Sequence, residues 1–299
     1  MRFYYPDTPD LPLPDGHRFP AEKYRLVRTF VQQERVLGRA DLIPSPLAER
    51  KELLLAHDEI YLDDVLAGTI PPEIQRRIGL PWSPILADRS RRTVGGAIAA
   101  ARAALADGVS GQLAGGTHHA HRGFGSGFCV FNDLAVAALT MLAEGAVRRV
   151  AIVDTDVHQG DGNAAILGPD PAVFVVSLHG EKNFPFRKVP SDLDIGLPDG
   201  TGDAAYLDAL AGALDAVSRF RPDLVLYLSG ADPLQQDALG RLALTHEGLM
   251  ARDRAVLSMC RDRAIPVTVA LGGGYCRPIG PTVMAYINTL RVTRDVFEL

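Results

Sequence analysis

Nine residues, DTDVHQGDG from Asp154 to Gly162, set three aspartates and a histidine directly behind the apolar run RRVAIV. Carboxylates so close to a hydrophobic strand carry a desolvation cost that a bound divalent cation would offset. Asp154, Asp156 and His158 stand at i, i+2 and i+4, and on extended backbone such side chains point the same way. Asp232, in the segment SGADP, offers another carboxylate from a second strand end. Asp156, His158 and Asp232 would then form a three-ligand site with one position open to water, the mark of a catalytic rather than a structural metal. The competing reading is a capped helix start whose aspartates are merely hydrogen-bonded. The other polar clusters in the chain weigh against it.

The loop GGTHHAH supplies His118 and His119. A neutral imidazole there can accept a proton from water and return it to a leaving amine. Each needs a partner to fix its tautomer. Asp154 and Asp161 remain once the metal ligands are assigned. His121 reads as a solvent-exposed loop residue. Tyr275, behind LGGG, could donate its phenol hydrogen to a polarised carbonyl; on its own it could equally be a packed tyrosine after a turn. Gly127 and Phe128, in GSGFC, fit the apolar wall of an access channel and ordinary core packing equally well.

These residues need a scaffold. After a short strand MRFYYP, the first part of the chain reads as helix and loop: AEKYRLVRTFVQQERV has helical apolar spacing. PLAERKELLLAHDEIYLDDVLAG reads as two short helices broken near His57. PPEIQRRIGLPWSPILADRSRR is Pro-rich and irregular at its centre, and TVGGAIAAARAALADG is a small-residue helix. Strand then alternates with helix: GQLAGG, VRRVAIVDTDVH, PAVFVVSLH, PDLVLYLSGAD and IPVTVALGGG are Val/Leu/Ile-rich strands separated by helical segments. Continuous apolar strands alternating with helices predict a parallel sheet covered on both faces, as one α/β domain over 1–299. The polar clusters follow the strands, where open parallel sheets place their sites.

Composition limits the function classes. The 299 residues carry a net charge of -5 and scattered arginines, which give no electrostatic case for direct nucleic-acid binding. MRFYYPDTPDLPLPDG lacks the apolar core of a signal peptide, and no apolar run reaches the roughly 20 residues of a membrane span. The three cysteines, Cys129, Cys260 and Cys276, form no CxxC, so a cytoplasmic setting is expected. Oligomeric state is open.

Taken in order, GGTHHA, GSGFCVFNDLAVA, VDTDVHQGDG, VVSLH, SGADP and LGGGY resemble the histone deacetylase superfamily, most nearly its class IV branch and bacterial relatives. The resemblance implies an arginase-deacetylase fold, a mainly parallel eight-stranded sheet with helices on both faces, forming a single catalytic domain. It implies a zinc-dependent amidohydrolase that removes acetyl or longer acyl groups from lysine side chains of a protein or peptide. By motif position Asp156, His158 and Asp232 resemble the zinc ligands. His119 resembles the base and acid, and His118 its electrostatic partner. Asp154 and Asp161 resemble their buried carboxylates, Tyr275 the carbonyl-polarising tyrosine, and Gly127 and Phe128 the channel wall. A structural K+ site is implied at Asp154, Asp156, His158, Ser177 and Leu178. The ligand set suits Zn2+ or Fe2+. The segment GEKNFPFRKVPSDLDIGLPDGTG, a rim loop, aligns with no single relative, which leaves a deacylase of acylated polyamines or another small acylated amine as the alternative. An arginase-like two-metal site would want more carboxylates than SGADP offers, and a non-enzymatic descendant would be expected to lack one of these residues.

Overall fold

The computed structural model describes residues 1–299. Its eight strands are β1 (Arg2–Tyr5), β2 (Asp41–Pro44), β3 (Val109–Gln112), β4 (Val150–Asp154), β5 (Val173–Gly180), β6 (Leu193–Leu197), β7 (Leu224–Leu228) and β8 (Val267–Ala270). They form one sheet in the order β2-β1-β3-β8-β7-β4-β5-β6, and every pairing is parallel. This is the arginase-deacetylase arrangement. Along β4, Val150 and Ile152 face one side of the sheet while Ala151 and Val153 face the other; along β7, Leu224, Leu226 and Leu228 alternate with Val225 and Tyr227. Side chains alternate across a strand, so a strand covered on both faces must be apolar at every position.

Two helical layers supply that cover. On one face lie α1 (Lys23–Glu34), α8 (Asp203–Phe220), α9 (His246–Asp262) and α10 (Gly280–Phe297), which contribute Val27, Leu210, Val256 and Leu290 to a core of 40 buried residues. On the other lie α3 (Glu59–Ala67), α5 (Pro84–Asp107), α6 (Asp133–Ala143) and α7 (Asp161–Leu167), with Leu62, Val94, Leu134 and Ile166 in a core of 36. Two short helices, α2 (Arg50–Leu53) and α4 (Pro72–Ile78), complete the set.

Three elements differ from the sequence expectation. Helix α5 begins at Pro84, where Ser83 accepts a hydrogen bond from Leu86 N at 3.1 Å, and so absorbs ILADRSRR into a 24-residue helix. A serine cap followed by proline at the first helical position is a strong start signal, and the prolines upstream obscure it. Strands β2 and β6 were not expected. They are the two edges of the sheet and expose half their residues, so neither shows the apolar run that marks the inner strands.

Candidate active site

Strands β3, β8, β7 and β4 are neighbours at the centre of the sheet. Because all run parallel, the polar segments after them emerge side by side at one edge, and Asp156, His158, Asp232, His118, His119 and Tyr275 converge there. Strand β4 ends at Asp154, so Asp156 and His158 meet across a loop and not along one strand face. Asp156 Oδ1 accepts from His158 N at 2.9 Å and lies 2.9 Å from His158 Nδ1, while Asp156 Oδ2 accepts from Gly273 N at 2.6 Å. Asp232 Oδ1 accepts from Val157 N at 2.9 Å. Asp232 Oδ2 is buried 3.1 Å from His158 Nδ1, yet no hydrogen bond reaches it. The single hydrogen of that ring nitrogen can serve only one carboxylate, and Asp156 is nearer.

One ligand atom from each of Asp156, His158 and Asp232 falls within 4.8 Å of the others, and all three residues are buried. An orphaned carboxylate oxygen beside a second buried carboxylate is what a divalent cation would resolve, so these residues fit a metal. Protein groups alone set uneasy titrations here. Burial and the neighbouring Asp156 push Asp232 up to about 7. Burial would lower His158, but Asp156 and Asp232 outweigh it and hold the imidazole up at about 10. The cradle is closed by glycine: a Cβ on Gly230 would lie 2.6 Å from Asp156 Cα, and one on Gly273 would overlap the Asp232 carboxylate.

The histidine pair sits opposite. His118 Nδ1 is 2.7 Å from Asp154 Oδ2, and His119 Nδ1 is 2.6 Å from Asp161 Oδ1. The two rings are 4.2 Å apart, centroid to centroid. Burial lowers both, but Asp154 and Asp156 overcome it at His118 and raise that ring to about 9. At His119 burial wins, reinforced by His118, and the ring falls to about 4. His121 is not the exposed loop residue expected. Its Nε2 lies 3.1 Å from Asp161 Oδ2 and its ring stacks on Phe124, because Asp161 starts α7 facing this loop and has a second oxygen to share.

The loop is held from behind by Asp133. Asn132 caps α6 by accepting from Ala135 N at 2.9 Å. That puts the Asp133 carboxylate where it accepts from Gly116 N, Thr117 N, Thr117 Oγ1 and Gln112 Nε2, all between 2.8 and 3.0 Å. Gly115 and Gly116 both have positive φ, +93° and +72°, which lets the chain turn there without a Cβ clash.

Tyr275 is 9% exposed, and its ring stands 6.3 Å from His158. Its hydroxyl makes no hydrogen bond to the protein, while its backbone N donates to Asp237 Oδ2 at 2.6 Å. A cavity of about 40 Å³ joins these groups, lined by Phe19, Tyr24, Gly127, Phe128, His119, His158 and Tyr275. Phe128 has φ +67°, fixed by bonds from Gly127 N to Arg77 O and from Phe128 N to Ile78 O. Phe184 faces Gly127 across the opening, its ring 4.9 Å from His119. Sequence reasoning missed Phe184 because it lies in the unaligned rim segment, and it missed Asp133 because a helix-start aspartate carries no local sign of long-range bonds. Ser177 pairs with Asp154 in the β4–β5 register, and its Oγ is 3.0 Å from His179 Nδ1. Leu178 follows in β5.

A parallel α/β sheet that gathers two carboxylates, three imidazoles and an unpaired phenol beyond its strand ends has the parts of a metal-assisted hydrolase. Residues 17–290 match the histone deacetylase domain, and the chain belongs to that family. It is 45% identical over 295 residues to an uncharacterized protein of Picosynechococcus sp., covering 98% of each chain. It is 30% identical to histone deacetylase 2 of Arabidopsis thaliana, over 92% of this chain and 73% of the relative. It is 31% identical to a histone deacetylase-like amidohydrolase of Pseudomonas aeruginosa, over 85% of this chain and 70% of the relative.

Proposed function

We propose that the whole chain, residues 1–299, acts as one catalytic domain that hydrolyses acyl-lysine amides of proteins or peptides in the cytoplasm. The observation that carries the reading is the buried Asp156–His158–Asp232 cluster, with its orphaned Asp232 oxygen, facing the two carboxylate-held histidines. Zn2+ or Fe2+ held by these three residues would supply Lewis-acid polarisation of the acyl oxygen and of water. The rest of the chemistry belongs to the chain. His119, neutral near pH 7 and held through Nδ1 by Asp161, takes the proton of the attacking water at Nε2. The oxygen forms its bond to the acyl carbon while the Tyr275 hydroxyl donates to the developing oxyanion. His118, held through Nδ1 by Asp154, is the electrostatic partner in this step. The C–N bond then breaks, and His119 returns its proton to the lysine amine. Gly127, Phe128 and Phe184 surround the alkyl chain of the lysine and exclude water. Asp154, Asp156, His158, Ser177 and Leu178 are the residues assigned to a structural K+.

A protein or peptide suits the channel mouth better than an acylated polyamine. Arg187 and Arg277 lie on the segments that carry Phe184 and Tyr275, and Arg77, at the end of α4, accepts from Gly127 N through its carbonyl; all three are exposed, and none forms an ion pair. Uncompensated positive charge repels a polycation. The three cysteines are free and buried, which fits a reducing compartment. The test is turnover of acyl-lysine peptides of increasing acyl length and of an acyl-polyamine, each with and without a chelator. Chelator-sensitive release from the peptides supports the proposal. Turnover of the polyamine alone, or release that ignores the chelator, overturns it.

A further inference from the structure

We propose that Arg252 is a positioning residue that braces the two carboxylate-bearing segments of the metal site; the proposal rests on assigning Asp156 and Asp232 as metal ligands. Arg252 belongs to α9, is 1% exposed, and lies outside the cavity lining. All five of its N–H groups are used. Nε and one Nη2 hydrogen donate to Asp253 Oδ1, at 2.9 and 2.8 Å, and the other Nη2 hydrogen donates to Ser229 Oγ at 2.9 Å. The two Nη1 hydrogens donate to Gly230 O at 2.6 Å and to Thr155 O at 3.3 Å. Thr155 immediately precedes Asp156, and Gly230 stands two residues before Asp232. One planar group therefore ties the end of β4 to the end of β7 just where each delivers its carboxylate.

Asp253 anchors the brace in turn. Its Oδ1 also accepts from Tyr227 Oη at 2.5 Å and Ser229 Oγ at 3.2 Å, and its Oδ2 accepts from Thr289 Oγ1 at 2.6 Å. A buried ion pair adds little net stability over apolar packing of the same volume, so its value here is geometric. Asp156 and Asp232 repel one another, and their loops would separate if nothing fixed the backbone. Five donors in a fixed fork can hold two carbonyls and a carboxylate together; a lysine ammonium, with three donors and no plane, cannot reproduce that set.

The test uses the full chain with Arg252→Lys and Arg252→Met. Zinc affinity is read by competition with a chromogenic chelator, folding by far-UV circular dichroism, and kcat and KM on an acetyl-lysine peptide at saturating zinc. Loss of groups that orient metal ligands typically weakens metal binding about 10–100-fold, and that loss is expected in each folded variant, with KM unchanged because Arg252 does not touch the channel. If Arg252→Met does not fold, Arg252→Lys decides. A folded variant that binds zinc as tightly as the wild type overturns the brace alone. A wild-type protein that binds no zinc removes the metal assignment, and the brace with it.

Discussion

Replacing Tyr275 with phenylalanine removes one oxygen that bonds to nothing in the protein, and the consequences can be worked from its surroundings. The ring is fixed on several sides: Phe128 at 5.9 Å, His158 at 6.3 Å and the Lys23 ammonium 4.9 Å from its centroid. The backbone N is tied to Asp237. A phenylalanine ring keeps all of these contacts, so folding and zinc affinity should not change. Burial holds the phenol far above its ordinary range, so the hydroxyl remains a hydrogen-bond donor throughout the working pH range. In the proposed reaction the oxyanion is then the one partner that the hydroxyl gains. Loss of such a donor costs about 10²–10³ in kcat, or about 2.7–4 kcal/mol of transition-state stabilisation. An interaction made only in the transition state should lower kcat and kcat/KM together and leave KM alone. The assay is steady-state hydrolysis of an acetyl-lysine peptide, with zinc content and thermal melting measured on the same preparation. A variant that retains zinc and its melting temperature but turns over at the wild-type rate would remove Tyr275 from the mechanism.

Three further outcomes follow from the same geometry. Gly273→Ala drives a methyl into the Asp232 carboxylate and should abolish zinc binding while the protein stays folded; tight chelator-competed binding would contradict the cradle. Zinc must displace protons that Asp232, raised to about 7, and His158, raised to about 10, still hold near neutrality. Affinity should therefore climb with pH, by up to about tenfold per unit between roughly pH 7 and 10, where His158 alone holds its proton, and by up to about a hundredfold per unit below roughly pH 7, where Asp232 holds one too; a flat pH profile of the dissociation constant would refute this. Asp133→Ala strips buried partners from Gly116 N, Thr117 N and Gln112 Nε2, each worth about 1–3 kcal/mol when left unsatisfied, so urea unfolding should show a loss of about 3 kcal/mol or more.

The central strands were legible because burial on both faces forces an apolar residue at every position, and VAIV and LVLYL show nothing else. The edges were not, because DLIP and LDIGL are half exposed and a mixed pattern of four or five residues resembles loop. The same split governs the site. Asp156, His158, Asp232 and Tyr275 are legible because each sits just beyond a readable strand. Phe184 and Arg252 are not. One lies in a rim segment, and the other is an arginine on a helix, a place where the sequence alone suggests a solvated face. Its burial is a tertiary property, created by the acceptors Thr155 O and Gly230 O from two other elements.

The cost of packing three aspartates behind β4 resolves into separate tasks for each. Asp154 turns to His118, Asp156 and His158 face Asp232, and Asp161, one helix start later, reaches His119. Two rings 4.2 Å apart cannot both be protonated cheaply. His118 lies close to two carboxylates, 2.7 Å from Asp154 and 3.8 Å from Asp156, and these favour its charged form. Its positive charge is itself one reason that His119 stays neutral. Adjacent residues of one type are thus shifted in opposite directions, His118 upward by its carboxylates and His119 downward by burial and by His118. The division depends on which aspartate each ring meets, and the order of residues in a nine-residue stretch decides that.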